Sequence, residues 1–218
     1  NPQLFDATKH RALPLVADAL AGLKDISADL GSWRAPESWT QSAKEGRAQW
    51  FVDADKATAP TNAELPSDGQ VIGAVNRVLG SETTLVCASG GLPGELHKLW
   101  QAGSPGSYHL EYGYSTMGYE IAGGLGVKMA KPDKDVVVML GDGSYLMLNS
   151  EIATSVMLGL KLYIVVLDNS GFGCINRLQM ATGGANFNNL FRDTRHQTLP
   201  AIDFAAHAAS LGAISKKV

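Results

Sequence analysis

The spacing of apolar residues divides this chain into stretches with different periods. Residues 10–30, HRALPLVADALAGLKDISADL, place apolar positions at helical spacing and stop at Gly31, which predicts a helix. Residues 32–70 mix Trp, Pro, Ser and charge around a second helix near 36–54, the pattern of connecting structure. Regular patterning resumes in LPSDGQVIGAVNRVLG, where Ser67 or Asp68 caps a helix and Gly80 ends it. TTLVCA then reads as a short strand running into the Gly-rich turn SGGLPG. In YHLEYGYSTMGYEIAGGLGVKMAKP, Gly118, Ala122, Gly123 and Gly126 give a small face to a helix that ends at Lys131 and Pro132. The strand DVVVML, the turn GDGS, a helix over 148–158 closed by Gly159 and the strand KLYIVVL complete the pattern.

Both late strands are unbroken apolar runs, as a parallel sheet covered on both faces requires, and the helix between them makes a crossover unit. The expected fold is α/β, a doubly wound and mostly parallel sheet with helices on both faces. The order is strand, helix, strand, helix, strand, with no internal repeat.

Composition narrows the function. The chain has 218 residues, 45% hydrophobic and 18% charged, with a formal net charge of −3, which suits one sizeable core plus an appendage. Its basic residues are scattered, so neither nucleic acid nor an anionic membrane surface is indicated as a partner. No apolar run reaches the roughly 20 residues of a membrane helix, and no signal leader opens the chain, so a cytoplasmic setting is expected. Cys87 and Cys174 lack metal-binding spacing and read as buried or site-lining thiols. Starting at Asn1 and stopping at Val218 where another apolar strand could begin, the chain reads as a piece of a longer protein.

The chemistry concentrates in VVVMLGDGSYLMLNSEIATSVMLGLKLYIVVLDNSGFG, where each apolar run ends in an acidic or amide-bearing turn. Ligands of open parallel sheets bind at the carboxyl ends of strands, so Asp142 and Asn169 emerge at one edge. A carboxylate, an amide oxygen and a backbone carbonyl are three hard oxygen ligands that leave room for phosphate oxygens and water on Mg²⁺. Gly143 and Ser144 leave N–H groups near a helix start, and Gly171–Gly173 form a second flexible turn able to face an anion.

GDGS at 141–144 followed by DNSGFG from 168 resembles the thiamine diphosphate signature. The resemblance implies Asp142, Asn169 and the carbonyl of Gly171 as ligands of Mg²⁺, with Gly141, Gly143, Ser144 and Gly173 around the diphosphate of a bound thiamine diphosphate. YSTMGYEIAGGLG is similar to the matching segment of acetolactate-synthase-like enzymes, which implies Met117 as the apolar prop under the bent cofactor and the carbonyl of Ser115 as an acceptor for its aminopyrimidine. Gly90, Gly91 and Leu92 are implied to approach the diphosphate from the neighbouring strand.

GGLPGELHKLW, YHLEYGYSTMGYEIAGGLGVKMA and GDGSYLMLNSEI further resemble the trihydroxycyclohexane-1,2-dione hydrolase family of myo-inositol catabolism. That likeness covers most of residues 65–212 and implies redox-neutral hydrolysis of a C–C bond, opening an inositol-derived cyclic dione to 5-deoxyglucuronate. It divides the chain into the end of a middle domain (1–31), a connecting segment (32–64) and a diphosphate-binding domain (65–218). It also implies that the activating glutamate lies in a separate N-terminal domain and reaches the cofactor from a second subunit of a homodimer or homotetramer. No catalytic residue is then expected in this chain, which would hold the cofactor without turning over substrate alone. Two further readings share the motif: a 2-keto-acid decarboxylase or acetolactate synthase type, and a non-catalytic cofactor-binding module. His97, His109, Glu111 and Glu120 lie near the cofactor-facing segments without an assigned role, and GGLG at 123–126 reads as helix packing.

Overall fold

The computed structural model describes Ala7 and residues 9–218, which divide into two compact units meeting between Phe51 and Val52. That boundary falls inside the 32–64 segment. The first unit contains α1 (Ala19–Leu30) and most of α2 (Glu37–Ala57). Helix α1 begins later than its apolar spacing suggests, because the carboxylate of Asp18 accepts from the N–H groups of Leu20 and Ala21 and starts the helix there.

The second unit follows in the order α3 (Asp68–Leu79), β1 (Thr84–Cys87), α4 (Gly91–Leu99), β2 (Tyr108–Leu110), α5 (Glu120–Ala130), β3 (Val136–Gly141), α6 (Asp142–Met147), α7 (Glu151–Leu158), β4 (Tyr163–Leu167), α8 (Gly173–Ala181) and α9 (Phe204–Ser210). Helix α3 is opened by a reciprocal capping box between Ser67 and Gln70. The strands form one parallel sheet in the order β2-β1-β3-β4.

Alternation along the strands builds a core on each face. Leu85, Cys87, Val137 and Met139 point to one side and pack with Ile72 of α3 and Leu92, Leu96 and Leu99 of α4. Val86, Val136, Val138 and Leu140 point to the other and pack with Ile121 of α5, Tyr145 of α6 and Ile152 of α7. Helices therefore cover both faces, as the continuous apolar runs of the strands require. Strand β4, by contrast, is only half-buried along its length.

Three local expectations are corrected. The helix expected over 148–158 is α7, which starts only at Glu151, and the expected GDGS turn instead opens the short helix α6 at Asp142, with Leu148 leaving helical geometry between them. Gly118 stands outside the helix whose small face it was expected to share, because its φ of +88° breaks the backbone and α5 starts at Glu120. The SGGLPG turn is shorter than expected, since Gly91 and Leu92 already belong to the first turn of α4.

Candidate functional site

In strand order, β1 has β2 on one side and β3 on the other, so the chain reverses direction across the sheet between β1 and β3. Ser89 and Gly90 follow β1, and Gly141–Ser144 follow β3, flanking the crevice such a reversal opens at the carboxyl ends of strands. Strand β4 lies beside β3 with Gly141 paired to Leu167, which brings Asp142 next to the 168–171 turn.

Asp142 is the centre of this edge. It is 1% exposed, and its carboxylate accepts from the N–H of Gly171 at 2.8 Å and, more weakly, from that of Asn169 at 3.4 Å. Burial raises its pKa, opposed by those two backbone donors. The turn it holds is strained in the manner of a designed loop: Ser170 has φ +58°, Gly171 has φ +143°, and Asp168 Oδ1 accepts from the Ser170 N–H at 2.8 Å. The Asn169 side chain lies against Gly173 at the start of α8, where an added Cβ would sit 3.1 Å from its Nδ2.

The segment 115–118 is tied to both neighbouring strand ends. The hydroxyl of Ser89 donates to the Ser115 carbonyl at 2.9 Å, leaving one lone pair of that carbonyl for another donor. Gly118 N–H donates to Oε2 of Glu120 at 2.9 Å, and burial raises the pKa of that carboxyl, opposed by the Ser144 hydroxyl. The methyl of Met117 reaches Gly143: a Cβ added there would lie 3.7 Å from Met117 Cε and 2.8 Å from Phe172 Cε1. Gly143 therefore has no space for a side chain between Phe172 and Met117.

Of the remaining expected residues, Gly90 caps α4 with φ +127°, and the Leu92 side chain is buried in the core, so only the Leu92 backbone is free to meet a ligand. Ser144 is 2% exposed, with its hydroxyl on the Glu120 side. His97 packs between Tyr108 and Tyr112, and His109 is hydrogen-bonded to Tyr119, so both are engaged in aromatic packing. The Glu111 carboxylate accepts from the N–H groups of Tyr114 and Thr116 and organises the loop leading to Met117.

Ser89, Phe172 and Arg177 lie in segments the sequence points to, SGGL and DNSGFGCINRLQM, without individual roles assigned to them. The Arg177 guanidinium lies over Gly91, whose Cβ, if present, would meet its Nη2. The Gly-rich spacing around Gly91 and Gly143 was the signal for such close approaches.

The donor set of this edge fits a metal-bound diphosphate. Asp142 is a buried carboxylate with only backbone donors as partners and, among the described residues, no cation paired to it. A hard divalent ion completes such a group.

Residues 88–218 match the family model described as thiamine pyrophosphate enzyme, C-terminal TPP binding domain. Among curated relatives, the 3D-(3,5/4)-trihydroxycyclohexane-1,2-dione hydrolase of Bacillus thuringiensis is 49% identical over 97% of the chain. The protein of the same name from Geobacillus thermodenitrificans is 38% identical over 97% of the chain. The chain spans 38% and 37% of the length of these relatives, respectively. A thiamine diphosphate-dependent 4-hydroxybenzoylformate decarboxylase of Rhodococcus jostii superposes with a TM-score of 0.61 at 19% identity, covering 71% of this chain and 28% of that one, a likeness of fold.

Proposed function

The chain belongs to the thiamine pyrophosphate enzyme family, and on that premise we propose that it is the cofactor-holding part of a hydrolase that opens an inositol-derived cyclic 1,2-dione to 5-deoxyglucuronate. The observation that carries the cofactor reading is Asp142, a carboxylate 1% exposed whose two oxygens meet only backbone N–H groups. The substrate reading is supported by the names of relatives up to 49% identical over nearly the whole chain.

In this reading Asp142, the Asn169 amide oxygen and the Gly171 carbonyl hold Mg²⁺. Gly90, Gly91, Leu92, Gly141, Gly143, Ser144 and Gly173 offer backbone to the diphosphate, while Met117 and the Ser115 carbonyl face the organic rings. When bound, thiamine diphosphate supplies the carbon nucleophile that cleavage between two carbonyls requires. The contribution of this chain is to hold, orient and desolvate: the turns after β1, β3 and β4 fix the anion, and the 115–118 segment sets the position of Met117. Residues 1–31 close a preceding domain and 32–64 connect it to the cofactor domain. The activating glutamate comes from a separate domain of a second subunit, in a cytoplasmic homodimer or homotetramer acting on a small polyhydroxy dione.

Calorimetric titration of the full-length protein with thiamine diphosphate, with and without Mg²⁺, tests the cofactor site. Asp142→Ala is expected to abolish the Mg²⁺-dependent part of the affinity, and equal binding by both proteins would overturn the assignment. Acid formation from the cyclic dione is expected of the wild type. Carbon dioxide release from pyruvate without dione hydrolysis would replace the hydrolase reading with a keto-acid decarboxylase or acetolactate synthase type.

A further inference from the structure

Glu120 is the one buried acid of this region that the cofactor reading leaves without a task. It is 1% exposed, and its Oε1 has no hydrogen-bond partner among the described residues, whereas Oε2 accepts from Gly118 N–H at 2.9 Å. An unpaired carboxyl oxygen in the interior carries a desolvation cost that a side chain of the same shape without polar atoms would not. The position is also unusual for the helix it opens. Glu120 starts α5, whose following residues Ile121, Gly123, Gly124 and Leu125 are all buried, so its carboxyl turns back toward the loop preceding the helix.

Two segments meet at this carboxyl. One is the Ser115–Gly118 turn, held in an uncommon backbone shape with Ser115 at φ +53° and Gly118 at φ +88°, and carrying Met117. The other is the stretch after β3: Gly143 lies beneath the Met117 methyl, and a Cβ added at Gly118 would sit 3.0 Å from Met147 Cβ. We propose that Glu120 is a positioning residue that couples the anion cradle at Gly143–Ser144 to the Met117 turn, so that a ligand filling the cradle also fixes Met117 against its organic part. Burial raises the Glu120 pKa, opposed by the Ser144 hydroxyl and the Gly118 N–H. The inference rests on the cofactor site proposed above.

The test compares two probes on the full-length protein with Mg²⁺: thiamine diphosphate, which would touch both the cradle and Met117, and inorganic diphosphate, which would fill the cradle alone. Glu120→Leu removes the coupling and is expected to weaken thiamine diphosphate about tenfold, the equivalent of one buried hydrogen bond, while inorganic diphosphate affinity stays as in the wild type. Glu120→Gln, which keeps an acceptor and a donor without charge, is expected to retain wild-type affinity for both. If Glu120→Leu does not fold, Glu120→Asp, too short to reach Gly118, takes its place with the same expected split. Equal weakening of both probes, no weakening of either, or failure of Glu120→Gln to rescue would overturn the coupling. Absence of thiamine diphosphate binding by the wild type would instead overturn the cofactor reading.

Discussion

Gly143 has no room for a side chain, and that constraint separates its effect on the ligand from its effect on the fold. A methyl group there would push against the Phe172 ring, an exposed side chain with freedom to swing aside, so the fold can absorb it. In the proposed site the displaced ring and the added methyl would both stand beside the diphosphate. Gly143→Ala is expected to lower thiamine diphosphate affinity by at least about tenfold while shifting the urea midpoint little, since one crowded contact at a surface ring costs roughly 1 kcal/mol. A variant that unfolds without changing affinity would refute this. At this scale the meeting of Asp142 and Asn169 at one sheet edge was legible, because both follow apolar runs that form adjacent parallel strands. Ser89 and Glu120 were not, because each acts through a backbone partner that sequence does not reveal: the Ser115 carbonyl for one and the Gly118 N–H for the other.

Among the elements, α5 shows what its small-residue face is for. Gly124 lies so close to β3 that an added Cβ would meet Val138 Cγ2, and Gly123 lies similarly against the Tyr119 ring. Val138 is fully buried in the sheet and has nowhere to go, unlike Phe172. Gly124→Ala is therefore expected to destabilise the protein by about 1–3 kcal/mol through overpacking, read as a drop in the urea midpoint. An unchanged midpoint would show that α5 can lift from the sheet at no cost. The small face expected on Gly118, Ala122, Gly123 and Gly126 is corrected: Gly123 and Gly124 make the close contacts, Gly126 has nothing within 4 Å, and Gly118 precedes the helix. Periodicity cannot register that Gly118 takes a positive φ, so Gly118 looked continuous with Ala122. Strand β2 escaped notice for another reason: three half-buried residues, YHL, carry too little pattern to distinguish from a loop. Helix α6 was read as a turn because GDGS is rich in turn formers, yet its first residue is the aspartate itself.

For the molecule as a whole, the parallel sheet and its two covered faces followed from apolar runs that have only one stable environment. The strand order did not, since nothing in the local pattern of β2 says that it lies outside β1. Burial at the centre of this sheet also sets how the protein responds to alkali. Cys87 is fully buried, and burial pushes its thiol up to about 11, with Tyr108 at 3.4 Å from its sulfur also raised by burial. A free thiol ionises near 8.5, so the unfolded chain loses this proton first as the pH climbs. The contribution of the thiol is fully present below about pH 8.5 and is lost progressively toward about 11. Urea midpoints are thus expected to fall over that range, and Cys87→Val to flatten the lower part of the fall; an identical slope in the variant would assign it to other groups.

The pairing of Gly141 with Leu167 carries a further consequence for how such chains diversify. The two strands fix the distance between Asp142 and the 168–171 turn through their mutual register, and the crossover from α6 through α7 only has to bridge them. The number of residues between the acid and the amide is then the length of that bridge, which Tyr145 of α6 and Ile152 of α7 anchor in the core, so a change of length there is expected to act on packing before it acts on the two turns. Descendants of this fold can remodel that outer span, and with it whatever neighbours it meets, while inheriting the two anchoring turns intact.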